Sequence, residues 1–258
     1  MVGLRPFYID WAITSHCNLR CGHCVANPVE EMPPELLVEL AGEVVGLNPG
    51  WVIVEGGEPL MRKELFEVLE EMDRLDLYLI TNGMLFTERV SRELRRLGVK
   101  VIFSMDGVTG EVYESTKSGA SFHRLVEAVE LASREGLFHG VTVVLSKRNL
   151  HQVKGIVRFV SDHGGKFVTF IPLQPSDRGF SDPYYKKYAL SPGDHARVLR
   201  AIYRGLQDPR VRVFYDEPFL WAFADQEGVE IPDGRSGITI SEFKGCACGT
   251  SLYIRPDL

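Results

Sequence analysis

Residues 17–24 read Cys17-Asn18-Leu19-Arg20-Cys21-Gly22-His23-Cys24, and three of the chain's five cysteines fall within these eight positions. Thiolates are soft ligands that favour iron–sulfur clusters or zinc. Structural zinc usually takes paired C-x2-C units or added histidines, and His16 or His23 could complete a Cys3His set. Ligand count alone leaves zinc and iron–sulfur level. Electron-transfer clusters ordinarily use four cysteines. Three thiolates on one loop cap three corners of a cubane and leave the fourth iron open. Three reduced thiols without a ligand would instead be an oxidation liability.

Working outward, the loop follows a short apolar run at 7–14 (FYIDWAIT). Similar runs recur at 51–55, 77–81, 99–104, 140–146 and 166–171, each rich in β-branched or aromatic residues, as buried parallel strands are. Helical patterns separate them at 35–45, 63–75, 88–98, 121–136 and 149–164, and a sixth helix follows at 191–206. Ser121 reads as an N-cap; Gly98, Gly136 and Gly164 read as C-caps. Six βα units imply a parallel sheet, either doubly wound or a barrel. The unusual residues all follow strands: the cysteines after the first, Gly56-Gly57-Glu58-Pro59 after the second, Asn82-Gly83 after the third. Ser104 and Asp106 end the fourth, Ser146 to Asn149 follow the fifth and Gln174 the sixth. The carboxyl ends of parallel strands form one face, and that face carries the chemistry. Region 175–190 reads as a tyrosine-rich loop, and 211–218 as a short strand.

Composition excludes several classes. The chain has 258 residues, 45% hydrophobic and 25% charged, with a formal charge of −6. That balance suits a soluble globular protein and points away from nucleic acid or an anionic membrane. No apolar run approaches the roughly 20 residues of a membrane span, and no secretory signal is visible. The cytoplasm is the expected compartment. Five cysteines, clustered and odd in number, argue for metal or redox chemistry over a disulfide framework.

Cys17-x3-Cys21-x2-Cys24 followed by Glu55-Gly56-Gly57-Glu58-Pro59-Leu60 resembles the radical S-adenosylmethionine (radical SAM) superfamily. The resemblance spans about residues 5–180 and implies an α/β fold, a partial (β/α)6 TIM-like barrel with outer helices. It implies a [4Fe-4S] cluster on Cys17, Cys21 and Cys24, whose open iron binds S-adenosylmethionine. Reductive cleavage would yield a 5′-deoxyadenosyl radical that abstracts hydrogen from substrate. By the same resemblance Gly56, Gly57, Glu58 and Pro59 border the methionine amino group. Asn82, Ser104, Asp106 and Asn149 border the rest of the cofactor. Asn82 equally suits a turn, Asp106 a cap for the next helix, and Asn149 an N-cap. Where many relatives carry an arginine about ten residues after Ser104-x-Asp106-Gly, this chain has Lys117, which lacks the bidentate fork.

Gly245-Cys246-Ala-Cys248-Gly249 and Ile254-Arg-Pro-Asp257 resemble the opening of the SPASM and twitch extensions, which hold auxiliary iron–sulfur clusters. The chain stops at Leu258, about where the motif's next glycine falls, so the extension is read as truncated or lost. An auxiliary cluster involving Cys246 and Cys248 requires a longer native chain, since two thiolates do not complete a four-cysteine site. The expected division is a barrel core at 1–180, a sixth helix, bridging strand and linker at 181–236, and the start of an extension at 237–258. Expected partners are a peptide or small-molecule substrate of the cofactor-precursor type (tetrapyrrole or pterin) and a low-potential donor such as ferredoxin or flavodoxin. Arg178, Tyr184 and Tyr185 either touch substrate or form a solvated loop, and Trp221 and Phe223 read as packing residues. No catalytic side chain is singled out. Two rivals remain: a non-catalytic iron–sulfur or zinc protein on a barrel scaffold, and a barrel lyase using Asp106 and Lys147 as acid and base.

Overall fold

The structure, a computed structural model, describes residues 6–25, 29–175, 182–205, 210–216 and 251–257. Arg178, Trp221, Phe223, Cys246 and Cys248 lie outside the described residues.

Six βα units build the frame. The strands are β1 (Tyr8–Thr14), β2 (Trp51–Gly56), β3 (Leu77–Thr81), β4 (Lys100–Ser104), β5 (Phe138–Leu145) and β6 (Phe167–Pro172). The helices between them are α1 (Pro34–Leu47), α2 (Leu65–Glu71), α3 (Glu88–Arg96), α4 (Gly110–Thr116), α5 (Phe122–Arg134) and α6 (Val153–Asp162). After β6 come α7 (Pro183–Tyr188), α8 (Pro192–Gly205), β7 (Arg212–Tyr215) and β8 (Ser251–Ile254).

The described strands form one parallel sheet in the order β7-β6-β5-β4-β3-β2-β1-β8. A doubly wound sheet reverses its strand order at a switch point. Here β1 to β7 follow chain order without reversal, which is the winding of a barrel. Every crossover therefore places its helix on the same face, and the other face becomes a lumen. β7, the short strand expected within 211–218, continues the sheet beyond β6, and one further strand goes beyond the expectation. β8, from the segment resembling an extension, pairs with β1 from Tyr8–Ser251 to Trp11–Ile254.

Alternation along the strands sorts the two faces. Ile9, Trp11, Val52, Val54, Leu77, Leu79, Val101, Phe103, Val141 and Val143 are buried in one continuous core. The intervening residues, such as Tyr8, Asp10, Ile53, Glu55 and Thr169, line the lumen. Phe103 sits at the centre of the core, edge-on to Phe86 at 5.4 Å. Ser121 caps α5 by accepting from Arg124 N, and Gly98, Gly136 and Gly164 hold positive φ after their helices.

Two helices depart from the sequence reading. α4 sits in a Gly- and Ser/Thr-rich stretch and is capped by Thr109, which accepts from Val112 N. α7 replaces part of the loop at 175–190: Asp182 accepts from Tyr184 N and Pro183 starts the helix. Six residues are too few for helical periodicity to show in sequence. Docking secures this helix, with Arg148 lying over the Tyr188 ring at 4.2 Å and bonding its hydroxyl at 2.6 Å.

Phe103→Ala should lower unfolding stability by about 3–5 kcal/mol, the usual cost of deleting a buried phenylalanine, read from the urea midpoint by circular dichroism.

Candidate active site

The cysteine loop is anchored at its entry. Gly57 N donates to Thr14 O at 2.7 Å and Glu58 N to His16 O at 2.8 Å, so the turn after β2 staples the chain leaving β1. A methyl group on Gly57 would collide with the His16 carbonyl. Gly56 holds φ 134 against the Thr14 carbonyl, a conformation that favours glycine.

Glu31 closes the same entry from the other side. Its Oε1 accepts from Thr14 Oγ1 at 2.5 Å, Ser15 N at 2.7 Å and His16 N at 3.3 Å. Arg62 donates to Glu31 Oε2 at 2.6 Å and to the Met32 carbonyl at 2.7 Å, and its Nε pairs with Glu64 Oε2 at 2.8 Å. Burial opposes ionisation of Glu31, but the Thr14, Ser15 and Arg62 donors and the nearby His16 outweigh it, holding its carboxyl down to about 2.

Glu58 is fully buried and directed away from the cavity. It accepts from Leu60 N at 3.1 Å, Thr81 Oγ1 at 2.8 Å and Asn82 N at 2.8 Å. It thereby fixes the end of β3, and Asn82 Nδ2 reaches Asn18 Oδ1 at 2.8 Å and the Cys17 sulfur at 3.8 Å. Pro59 is buried in the short turn behind the glycines.

Asp106 is likewise behind the wall. It does not cap α4, which Thr109 does; its Oδ1 accepts from Val144 N at 2.8 Å, and its Oδ2 lies 3.1 Å from Lys117 Nζ and 3.4 Å from His23 Nε2. Asn149 does not cap a helix with its side chain. It accepts from Ser146 N and donates to the Asp106 and Val144 carbonyls, all within 2.9 Å. Burial alone would lower the Lys117 pKa, but Asp106 and the Cys21 and Cys17 sulfurs hold it above the ordinary lysine value. Lys117 also donates to Ser104 Oγ at 2.8 Å. Lys147 is exposed while Asp106 is fully buried with Lys117, so the acid–base pair of the lyase rival is not assembled.

A cavity of about 330 Å³ opens among these groups, lined by Cys17, Cys21, Cys24, Gly56, Gly57, Asn82 and Ser104. Lys117, His23 and Gln174 complete its polar lining. Glu58, Pro59, Asp106 and Asn149 support its wall. Tyr184 packs on the loop instead of facing solvent: its ring meets the space a Gly22 side chain would occupy and lies 6.5 Å from His23.

The donor set fits a cluster. Burial lifts the Cys21 thiol to about 11 and also raises Cys17, so loading would release protons. Among the described residues no group of three His, Cys, Asp or Glu side chains converges on a single-ion position. A cubane needs no such convergence, because each thiolate meets its own iron. Both candidate zinc histidines turn a ring nitrogen to a carboxylate: His16 to Glu31 at 2.9 Å, His23 to Asp106 at 3.4 Å. Burial lowers the His23 pKa to about 4.

Glu31 and Arg62 were not legible as site residues, and His23 was read only as a possible zinc ligand. Glu31 belongs to a charged, proline-rich run that reads as a solvated surface, and only the return of the loop brings it under Thr14.

Gly57→Ala should lower iron bound per chain after anaerobic reconstitution, because the added methyl displaces His16 beside Cys17; unchanged iron content would show that the staple yields without cost. Glu31 titrates near 2 when folded, against an ordinary 4.5. Its contribution is therefore complete above about 4.5 and disappears as pH falls toward 2. Glu31→Gln should be less stable at neutral pH and lose less stability between pH 5 and 2, as followed by circular dichroism.

Comparison with known proteins agrees with this geometry. A profile of the radical SAM superfamily matches residues 11–160. The AdoMet-dependent heme synthase of Methanosarcina barkeri is 27% identical, covering 96% of this chain and 73% of its own. The mycofactocin maturase MftC of Mycobacterium tuberculosis is 30% identical, covering 67% of this chain and 46% of its own. Streptococcus suis SuiB, solved with S-adenosylmethionine, superposes with a TM-score of 0.76 at 15% identity, over 97% of this chain and 58% of that one. The chain thus spans about half the length of the maturase and somewhat more of SuiB. On its matched core, which covers more than half of its length, the chain belongs to the radical SAM superfamily of enzymes.

Proposed function

We propose that Cys17, Cys21 and Cys24 hold a [4Fe-4S] cluster and that S-adenosylmethionine occupies the adjoining cavity. When bound, this pair supplies a reducing electron and a 5′-deoxyadenosyl radical that abstracts hydrogen from a substrate. The observation that carries the reading is that the three thiols, the Gly56-Gly57 edge, Asn82 and Ser104 line one cavity. The chain's own groups suit the cofactor. The Gly56-Gly57 backbone allows close approach of the methionine amino end. Lys117, held by Asp106 and Ser104, presents an ammonium in place of the family's usual arginine. Apolar walls exclude water and keep reacting atoms adjacent.

The substrate class we propose is a peptide side chain or a cofactor precursor of the tetrapyrrole or pterin type. Support comes from the heme synthase relative and from SuiB, which was also solved with its precursor peptide SuiA. A SPASM- or twitch-like extension, an auxiliary cluster involving Cys246 and Cys248 only in a longer native chain, the division at 180 and 236, a ferredoxin or flavodoxin donor and a cytoplasmic setting complete the proposal. No described helix is long and apolar enough to cross a membrane.

Anaerobic reconstitution with iron and sulfide, then dithionite and S-adenosylmethionine, should yield 5′-deoxyadenosine and methionine. Cys17→Ala, Cys21→Ala and Cys24→Ala should each abolish both products. Cleavage surviving in any of the three overturns the ligand assignment, and zinc uptake without iron replaces it with the scaffold rival.

A further inference from the structure

The cofactor cavity continues into a larger one. Glu55, Ile80, Thr142 and Ile171 line both. The larger cavity, about 570 Å³, is the barrel lumen. Its amino-terminal half is aromatic, with Tyr8 stacked on Trp51 at 5.4 Å and Tyr78 and Phe167 beyond.

Three acids line this lumen: Asp216 just after β7 and, between the aromatic floor and the cofactor cavity, Asp10 and Glu55. Asp10 pairs in register with Ile53, and Glu55 lies two residues further along β2, so both side chains occupy the lumen face. Neither side chain has a hydrogen bond or ion pair with any described residue. The acids behind the cofactor cavity differ: Glu58 has three donors, and Asp106 has Val144 N and Lys117. Burial, reinforced by Asp216, pushes Asp10 up to about 6; burial, reinforced by Asp10, pushes Glu55 up to about 7. The basic groups lining the lumen, Arg212 and His139, stand at the opposite, amino-terminal ends of their strands. Tyr253, the register partner of Asp10 on β8, adds a hydroxyl beside the pair.

Desolvated acids without donors are costly unless a ligand supplies the donors. A protonated amine does so with three N–H groups, and the aromatic floor suits an apolar body attached to it. We propose that Asp10 and Glu55 in this lumen receive a protonated amine carried on an aromatic or apolar group. The identity of the neighbouring cavity rests on the function proposed above; the lumen's charge preference does not.

The test is equilibrium dialysis of the full reconstituted chain with S-adenosylmethionine and no reductant. The probes are tyramine and 3-(4-hydroxyphenyl)propionate, which share a ring and differ in charge. Tyramine should bind at least about tenfold more tightly, as a single desolvated charge contact provides. Asp10→Asn/Glu55→Gln should bring the two within about twofold, and Glu55→Gln alone should narrow the gap about threefold. Iron content and circular dichroism verify that the variants fold. Equal binding by the unmodified chain, or a preference that survives in a folded variant, overturns the proposal. Dialysis requires no turnover, so a failure of 5′-deoxyadenosine formation leaves this readout intact.

Discussion

Two backbone hydrogen bonds, from Gly57 N to Thr14 O and from Glu58 N to His16 O, govern the arrangement of this site. They join the carboxyl ends of neighbouring strands at the point where the cysteine loop begins. Both need the turn after β2 to approach β1 closely, and only a residue without Cβ allows that at Gly57. The glycine pair is thus an edge of the cavity and a structural staple at once. Glu58 carries the staple on to β3, where its carboxylate fixes the Thr81-Asn82 corner. Three strand ends are held in mutual register before any cofactor is considered.

Charge is distributed by the same logic. Around the cysteine loop, buried ionic groups come with partners: Glu31 with Arg62, Asp106 with Lys117, Glu58 with three donors. Such pairs are weak sources of net stability but are strongly destabilising when broken. They therefore hold loops in one position. The lumen follows a different rule. Asp10 and Glu55 sit on rigid strands, and that contrast separates a supporting wall from a receiving one.

Much of this was legible from residues alone. The six strands and six of the helices between and after them match their apolar runs and caps, because burial on one face imposes periodicity. Ser121 and the three C-cap glycines stand where their side-chain chemistry requires. Short elements escaped. α4 lies in a stretch rich in Gly, Ser and Thr, and α7 is shorter than two helical turns. β8 lay in a segment that resembled the start of another structure. The roles of Asp106 and Asn149 were also hidden: both carry polar side chains at strand ends, yet the Asn149 amide reaches the distant Asp106 carbonyl and the Asp106 carboxylate reaches Val144 N on the neighbouring strand.

The sequence by itself determined the thiolate triad, the glycine edge and the parallel αβ alternation, because each is local: a spacing, a missing Cβ, a period. Tertiary structure decided between a doubly wound sheet and a barrel, because strand order depends on where crossovers land. It also decided which polar groups face the cavity. Lys117, His23 and Gln174 join the cysteines there, while Glu58, Asp106 and Asn149 stand behind them. Facing and backing are separated by a single residue's rotation about a strand or turn, and only the packed sheet selects between them.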